Sequence, residues 1–254
     1  SSLRFSSMAQ EVKPMRGYRM LLVHAHPDDE TINNGATMAY YIERGAEVTL
    51  ITCTRGEEGE ILVPELLHLA SSAEDKLGEH REVELANAMK ILGVSDHRFL
   101  GAPTTKWRDS GMMGSEPNNR SDVFWNADID DAATYLVAVI NEIKPHVLIT
   151  YDEIGGYGHP DHIQAHRVAM RAAEITRESG WSIPKIYWNT IPVSVIEAGI
   201  EAMKGTGNQF FGVDKAEDFP FAQPDHLVTS VINADDYAGR KMDAMRAHPT
   251  QISV

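Results

Sequence analysis

Apolar and polar positions alternate in blocks that predict strands buried on both faces, joined by amphipathic helices. Tyr18–His24 carries the continuous run Met20-Leu21-Leu22-Val23, the pattern of a strand covered on both sides. Thr31–Arg44 has helical character and is followed by Gly45, a residue suited to ending a helix. Glu47–Thr54 is a second β-branched run, so the first part of the chain reads strand–helix–strand, a parallel unit. Glu79–Leu92 places Val83, Leu85, Ala86, Met89 and Leu92 at helical spacing before Gly93, and Arg98–Leu100 is a short strand. A helix over Asp130–Ile143 stops at Pro145, Val147–Thr150 is a buried strand, and Asp161–Ser179 is a further helix. After Gly180 the pattern changes to a strand at Ile183–Trp188, an irregular stretch, a strand at Leu227–Ile232 and a final helix near Asp235–Ala247.

The expected organisation is a tail over 1–17, a catalytic α/β domain over 18–180, and a small α+β addition over 181–254 packed on it. Met8 is a candidate natural start, with Ser1–Ser7 added ahead of it. The first 17 residues lack an apolar signal core, which makes the cytoplasm the expected compartment. The apolar runs have strand length, far below the roughly 20 residues of a membrane helix, so no membrane partner is expected.

Of 254 residues, 23 are Lys or Arg and 37 Asp or Glu, a formal charge of −14. That balance, without a basic stripe, argues against nucleic acid. Cys53 is the single cysteine, which excludes an internal disulfide and a cysteine-rich zinc site. The long Ala102–Asn126 segment, rich in Gly, Ser, Pro, Asn and Asp, has the composition of a loop that is either functional or disordered.

The chemistry concentrates in two segments, His24-Ala25-His26-Pro27-Asp28-Asp29-Glu30 and Gly155-Gly156-Tyr157-Gly158-His159-Pro160-Asp161-His162. Each follows a buried strand and precedes a helix, so in an open α/β sheet both reach the carboxyl edge, where ligands bind. The first turn holds His and three acids where a dinucleotide fold would place glycines. A divalent cation offsets the repulsion of adjacent carboxylates. His26 and Asp29 from one turn, with His162 from the other segment, form a two-His, one-carboxylate site suited to zinc and nearly as well to Fe²⁺.

Asp28, beside Asp29, is the candidate general base on a water activated by the metal. His159 is a candidate acid or oxyanion partner, with Asp161 orienting it and raising its pKa. Tyr157, between glycines, is a candidate donor to the tetrahedral intermediate. Taken singly, Asp29 and Asp161 sit where helix caps belong, and a lone His near a strand end is more often structural. The convergence of both clusters decides for the metal. His24 lies one pleat deeper and is expected in the core or behind the ligands. His166, one turn beyond His162, is the rival ligand, ranked behind it. The acidic run Gly56–Glu60 follows the second strand at the same edge, either closing over the site or simply exposed. Arg81, near a helix start, is a substrate contact or a surface residue at about even odds. Ser110 lacks a nucleophile elbow, and Cys53 reads as inert core.

With these residues in place, His26-Pro27-Asp28-Asp29-Glu30 and His159-Pro160-Asp161-His162 closely resemble the LmbE-like (PIG-L type) metal-dependent N-acetylglucosaminyl deacetylases. The likeness runs from Met20 to the terminal stretch with His248-Pro249-Thr250-Gln251. Asn34-Gly35-Ala36-Thr37, Cys53–Glu60, Trp107–Met112 and Gly155–His159 look most like the actinobacterial mycothiol-pathway branch. The resemblance implies a Rossmann-like, mostly parallel sheet flanked by helices. It also implies zinc or ferrous iron on His26, Asp29 and His162, with Asp28 as base, His159 as acid or electrostatic partner and Tyr157 near the oxyanion. From the resemblance alone, Arg81 and Asp109 correspond to sugar or inositol contacts, with Glu60 beside them. The implied reaction removes acetate from N-acetylglucosaminyl-inositol, a small amino-sugar substrate; the sister activity is amide cleavage of a mycothiol S-conjugate. The chain ends at Val254, whereas relatives continue for several tens of residues. A non-haem Fe(II) oxygenase and a silent sugar-binding module are the remaining readings.

Overall fold

Five strands form one sheet, with the apolar runs of the chain at its centre and the more polar strands at its edges. In the computed structural model, which describes residues 15–254 apart from 102 and 104, β1 (Arg19–His24) pairs in parallel with β2 (Glu47–Thr52) and β4 (Val147–Tyr151). β3 (Asp96–Phe99) joins β2, and β5 (Lys185–Asn189) joins β4, also in parallel. The order β3-β2-β1-β4-β5 reverses direction between β1 and β4. In doubly wound sheets that reversal opens a crevice at the carboxyl ends of the two central strands.

Side-chain alternation along β1 divides the core into two layers. Met20 and Leu22 face α1 (Asp29–Glu43), α2 (Leu77–Leu92) and α7 (Ala238–Arg246) through Met38, Leu85, Met89, Leu92 and Ala244. Leu21 and Val23 face α3 (Ile129–Ile143) and α5 (Pro160–Ser179) through Leu136, Ile140, Val168 and Ala172. Each fully buried Leu or Val contributes about 1.5–3 kcal/mol from apolar burial.

Helix ends follow local chemistry. Gly93 closes α2 at φ +84°, and Asp128 caps α3 by accepting the Asp131 N–H. Pro160 occupies the first position of α5, where its missing N–H costs nothing. α1 starts two residues earlier than its periodicity predicts, at Asp29, so the acidic turn is part of the helix.

Beyond residue 180 the expectation changes in two places. β5 belongs to the main sheet, beside β4. Leu227–Ile232, read as a strand, pairs with no strand among the described residues: Leu227 ends the 3-10 turn Asp225–Leu227, the rest is irregular chain, and Val231 is 83% exposed. Its apolar residues fall in two pairs, Leu227-Val228 and Val231-Ile232, and bury no common face. α6 (Val193–Met203) packs against a neighbouring 3-10 turn, and the last helix is the 3-10 turn Asp235–Tyr237 running into α7. The expected start at Met8 lies outside the described residues. No helix of the described residues is long and apolar enough to cross a membrane.

Candidate metal centre

The His26–Glu30 turn leaves β1, and the Gly155–His162 turn leaves β4 through α4 (Gly155–Gly158), a single distorted turn. The sheet therefore brings together residues about 135 apart in sequence. His26, His159 and His162 are all buried and present ligand atoms within 4.8 Å of one another.

Asp29 joins them through one oxygen. Its Oδ2 lies 3.3 Å from His26 Nδ1 and 3.0 Å from His162 Nε2. Tetrahedral ligands at bond lengths of about 2.0–2.1 Å are spaced about 3.3–3.4 Å apart, close to these separations. The tautomer supports the same reading. His162 Nδ1 donates to the Gly155 carbonyl at 3.0 Å, leaving the lone pair on Nε2. That Nε2 is buried without a hydrogen-bond partner among the described residues, although Asp29 is so near. Two acceptor atoms turned toward a shared point, neither donating to the other, fit a cation between them.

The turn that carries this carbonyl requires glycine. Gly155 sits at φ +64°, and a Cβ there would stand 2.6 Å from His162 Cβ and 2.8 Å from the Ile163 backbone nitrogen. Gly56, at φ +68°, is constrained from the other side, because a Cβ would enter the Arg81 guanidinium.

Behind the candidate ligands lies a ring of acceptors and donors. His26 Nε2 meets Asp161 Oδ2 at 2.9 Å, and Asp161 also accepts from the Ser110 backbone N–H and hydroxyl. Burial works against the His26 imidazolium, but Asp109, Asp161 and Asp29 outweigh it and raise its pKa. The same logic holds in reverse for Asp29: burial opposes its charge, and His162 and His26 hold its carboxyl well below the usual range. Asp109 accepts from the Gly111 and Glu58 backbone N–H groups and stands 4.0 Å from His159 Nε2. A second group of His26, Asp109, His159 and Asp161 also has metal-ligating chemistry. What favours the arrangement with Asp29 is that its Oδ2 faces His162 Nε2, which has no hydrogen-bond partner among the described residues.

Asp161 departs from its expected partner. Its carboxylate orients His26 instead of His159, because the first turn of α5 points it across to β1. His159 caps α5, its Nδ1 accepting the Asp161 backbone N–H at 3.1 Å. Burial, then His26 and His162, push the His159 imidazole down to about 3, opposite to the rise expected from Asp161. The neutral ring therefore carries its proton on Nε2, as a donor.

Asp28 is partly buried beside Asp29, and desolvation, reinforced by Asp29 and Glu30 against the pull of Arg81, raises its carboxyl to about 7. Its backbone sits at φ +125°, ψ −34°, a conformation costing on the order of 1–3 kcal/mol for a non-glycine residue. Arg81 is buried, not superficial. It donates to the Gly56 and Pro27 carbonyls, with one guanidinium nitrogen 3.4 Å from Asp28 Oδ1. Tyr157 is 40% exposed, its ring 4.9 Å from that of His162, and burial together with Asp29 raises its hydroxyl pKa, so it remains a donor.

The Gly56–Glu60 loop is tied down rather than loose. Glu57 is buried and accepts from the Arg55 and Asp109 backbone N–H groups, Glu58 pairs with Arg108, and within the loop only Glu60 is exposed. Ser110 is fully buried and its hydroxyl is held by Asp161, while burial pushes the Cys53 thiol up, leaving both without nucleophilic character. His24 bonds Tyr151 and Asn34 behind the site. His166 Nδ1 donates to the Tyr151 carbonyl, away from the cluster.

Tyr151 is the residue that sequence reasoning passed over. Its hydroxyl donates to Asp29 Oδ2 at 2.6 Å and accepts the Ala25 N–H, and its ring stacks on His162 at 4.2 Å. Its position at the end of β4, level with the β1 cluster, was the available signal. Tyr151→Phe is expected to weaken metal binding about 10- to 100-fold, as loss of a ligand-orienting partner typically does, with little change in fold. Competition with a chelating dye measures this; unchanged affinity would show Tyr151 to be packing alone.

The PIG-L family model, described as GlcNAc-PI de-N-acetylase, matches residues 21–173. The chain belongs to that family. It is 56% identical over 251 residues to 1D-myo-inositol 2-acetamido-2-deoxy-alpha-D-glucopyranoside deacetylase 1 of Catenulispora acidiphila, covering 95% of this chain and 77% of the relative. A protein of the same name, without the numeral, from Geodermatophilus obscurus is 55% identical over 93% of this chain and 83% of its own length. Among solved structures, N,N'-diacetylchitobiose deacetylase from Pyrococcus horikoshii aligns with a TM-score of 0.59 at 18% identity, over 92% of this chain and 71% of that one. A 4-carboxy-2-hydroxymuconate hydratase from Pseudomonas putida aligns with a TM-score of 0.60 at 18% identity, over 92% and 80%. At such identities the likeness concerns the fold, which carries more than one chemistry.

Proposed function

We propose that this PIG-L family protein is a metal-dependent hydrolase that removes acetate from the N-acetylglucosamine unit of N-acetylglucosaminyl-inositol. The observation that carries the chemistry is the unpartnered, buried His162 Nε2 facing Asp29 and His26. The names of the relatives above 50% identity support the substrate. His26, Asp29 and His162 would hold the cation, which supplies Lewis acidity and makes water acidic enough to ionise near neutrality. Zinc suits the donor set, as does ferrous iron.

Asp28 takes the proton of the attacking water, a role matched by a carboxyl held near 7. The developing oxyanion lies within reach of donors on the other segment, the Tyr157 hydroxyl and His159 Nε2–H. Asp161 fixes the ring of His26 and reaches His159 only through its backbone N–H. Arg81 beside Asp28, Asp109 below His159 and Glu60 on the exposed rim would meet sugar and inositol hydroxyls.

Amine release from N-acetylglucosaminyl-inositol, run beside a mycothiol S-conjugate, tests the substrate. Faster turnover of the acetamide is expected. Preference for the conjugate would keep the site and overturn the substrate.

A further inference from the structure

The chain beyond α7 turns back into the molecule instead of running over its surface. His248 and Thr250 are both fully buried. The Thr250 N–H and hydroxyl both donate to Glu84 on α2, and its carbonyl accepts from Leu62 N–H. These bonds clamp the segment against the site. The His248 ring has one hydrogen bond among the described residues, from Nε2 to Glu30 Oε1 at 2.9 Å, and its Nδ1 is buried without a partner. Glu30, itself fully buried, accepts the Asp28 backbone N–H on its other oxygen at 2.8 Å.

That N–H belongs to the residue at φ +125°, a backbone state that persists only where its surroundings impose it. Glu30 grips the Asp28 amide, and Arg81 grips the preceding Pro27 carbonyl. A carboxylate buried at this depth is held in one orientation by all of its hydrogen bonds together, so the loss of any one loosens it. Thr31 and His248 share Oε1 of Glu30, so the histidine, 218 residues away in sequence, is the remote anchor of the turn.

We propose that His248 is a positioning residue for the catalytic base. Through Glu30 it holds the Asp28 peptide in the strained turn that sets the carboxylate beside Asp29. The terminal segment is thereby part of the active machinery without touching substrate. This rests on the reading of Asp28 as base, and the test separates the two.

Four proteins are compared: parent, His248→Ala, Asp28→Asn and the double variant. His248→Ala is expected to lower kcat about 10- to 100-fold, the range typical of lost support for an active-site group, with KM within about twofold and full metal content. His248→Gln, whose amide donates to Glu30, is expected to recover most of that loss. In the Asp28→Asn background His248→Ala is expected to add nothing, since groups acting through one another are not additive. Amide hydrogen exchange supplies a readout independent of turnover: the His26–Thr31 peptide is expected to exchange faster in His248→Ala, with peptides of α3 and α5 unchanged. Should the alanine variant fail to fold, His248→Asn, whose amide is too short for Glu30, carries the same contrast with His248→Gln. An inactive Asp28→Asn beside a fully active His248→Ala would leave the base standing and overturn the inference. So would additive losses, absent rescue by Gln, or unchanged exchange at His26–Thr31. Full turnover in Asp28→Asn would instead remove the base assignment.

Discussion

Asp28→Asn is expected to keep its metal and its thermal stability while losing about 10²–10⁴ in kcat, the usual contribution of a positioned general base. The substitution is nearly isosteric, and asparagine is among the residues that best tolerate positive φ, so the turn at φ +125° survives. The Asp28 backbone N–H still reaches Glu30, because that bond does not involve the side chain. The amide cannot accept a proton from water, and that single change isolates the base. Arg81, 3.4 Å from Asp28 Oδ1, loses a charged neighbour but keeps its two carbonyl acceptors, so it stays in place. Elemental analysis and steady-state kinetics on one preparation decide the matter. Near-parental kcat with full metal would contradict the assignment.

The second large effect separates two histidines one helical turn apart. His162→Ala is expected to abolish stoichiometric metal binding and turnover together, because it removes one of three proposed ligands. His166→Ala is expected to retain the metal. Its Nδ1 bonds the Tyr151 carbonyl, and its ring lies 4.8 Å from that of Trp188, so its loss costs stability of about 1–3 kcal/mol through an unsatisfied buried acceptor. Metal per chain by elemental analysis, with a melting curve for each variant, distinguishes them. Loss of metal from His166→Ala with retention in His162→Ala would invert the ligand set.

The legible part of the molecule is the part encoded locally. Continuous apolar runs such as Met20–Val23 and Val147–Thr150 become central strands because a parallel sheet buries both faces, and that burial is visible as an unbroken run. The motif turns after β1 and β4 follow from the same reading, since strand order places both at one edge. What stayed hidden depends on side-chain direction or on distant pairing. Asp161 sits next but one to His159, and adjacency suggested that they interact. Instead the cap geometry turns His159 back onto a backbone N–H and sends the Asp161 carboxylate to His26. Tyr151, Glu30 with His248, and Glu84 with Thr250 carry no local signature, because their partners lie 122, 218 and 166 residues away. Leu227–Ile232 shows the converse: a cluster of apolar residues forms a strand only where some face is available for burial, and Val231 has none.

One measurement bears on the centre of this account: amine release from N-acetylglucosaminyl-inositol by protein as isolated, after exhaustive chelation, and after anaerobic return of Zn²⁺ or Fe²⁺. The expected result is loss of turnover on chelation and recovery when one equivalent of metal per chain is restored, in the parent but not in His162→Ala. Full turnover by protein shown to be metal-free would contradict a cation-dependent site built on His26, Asp29 and His162.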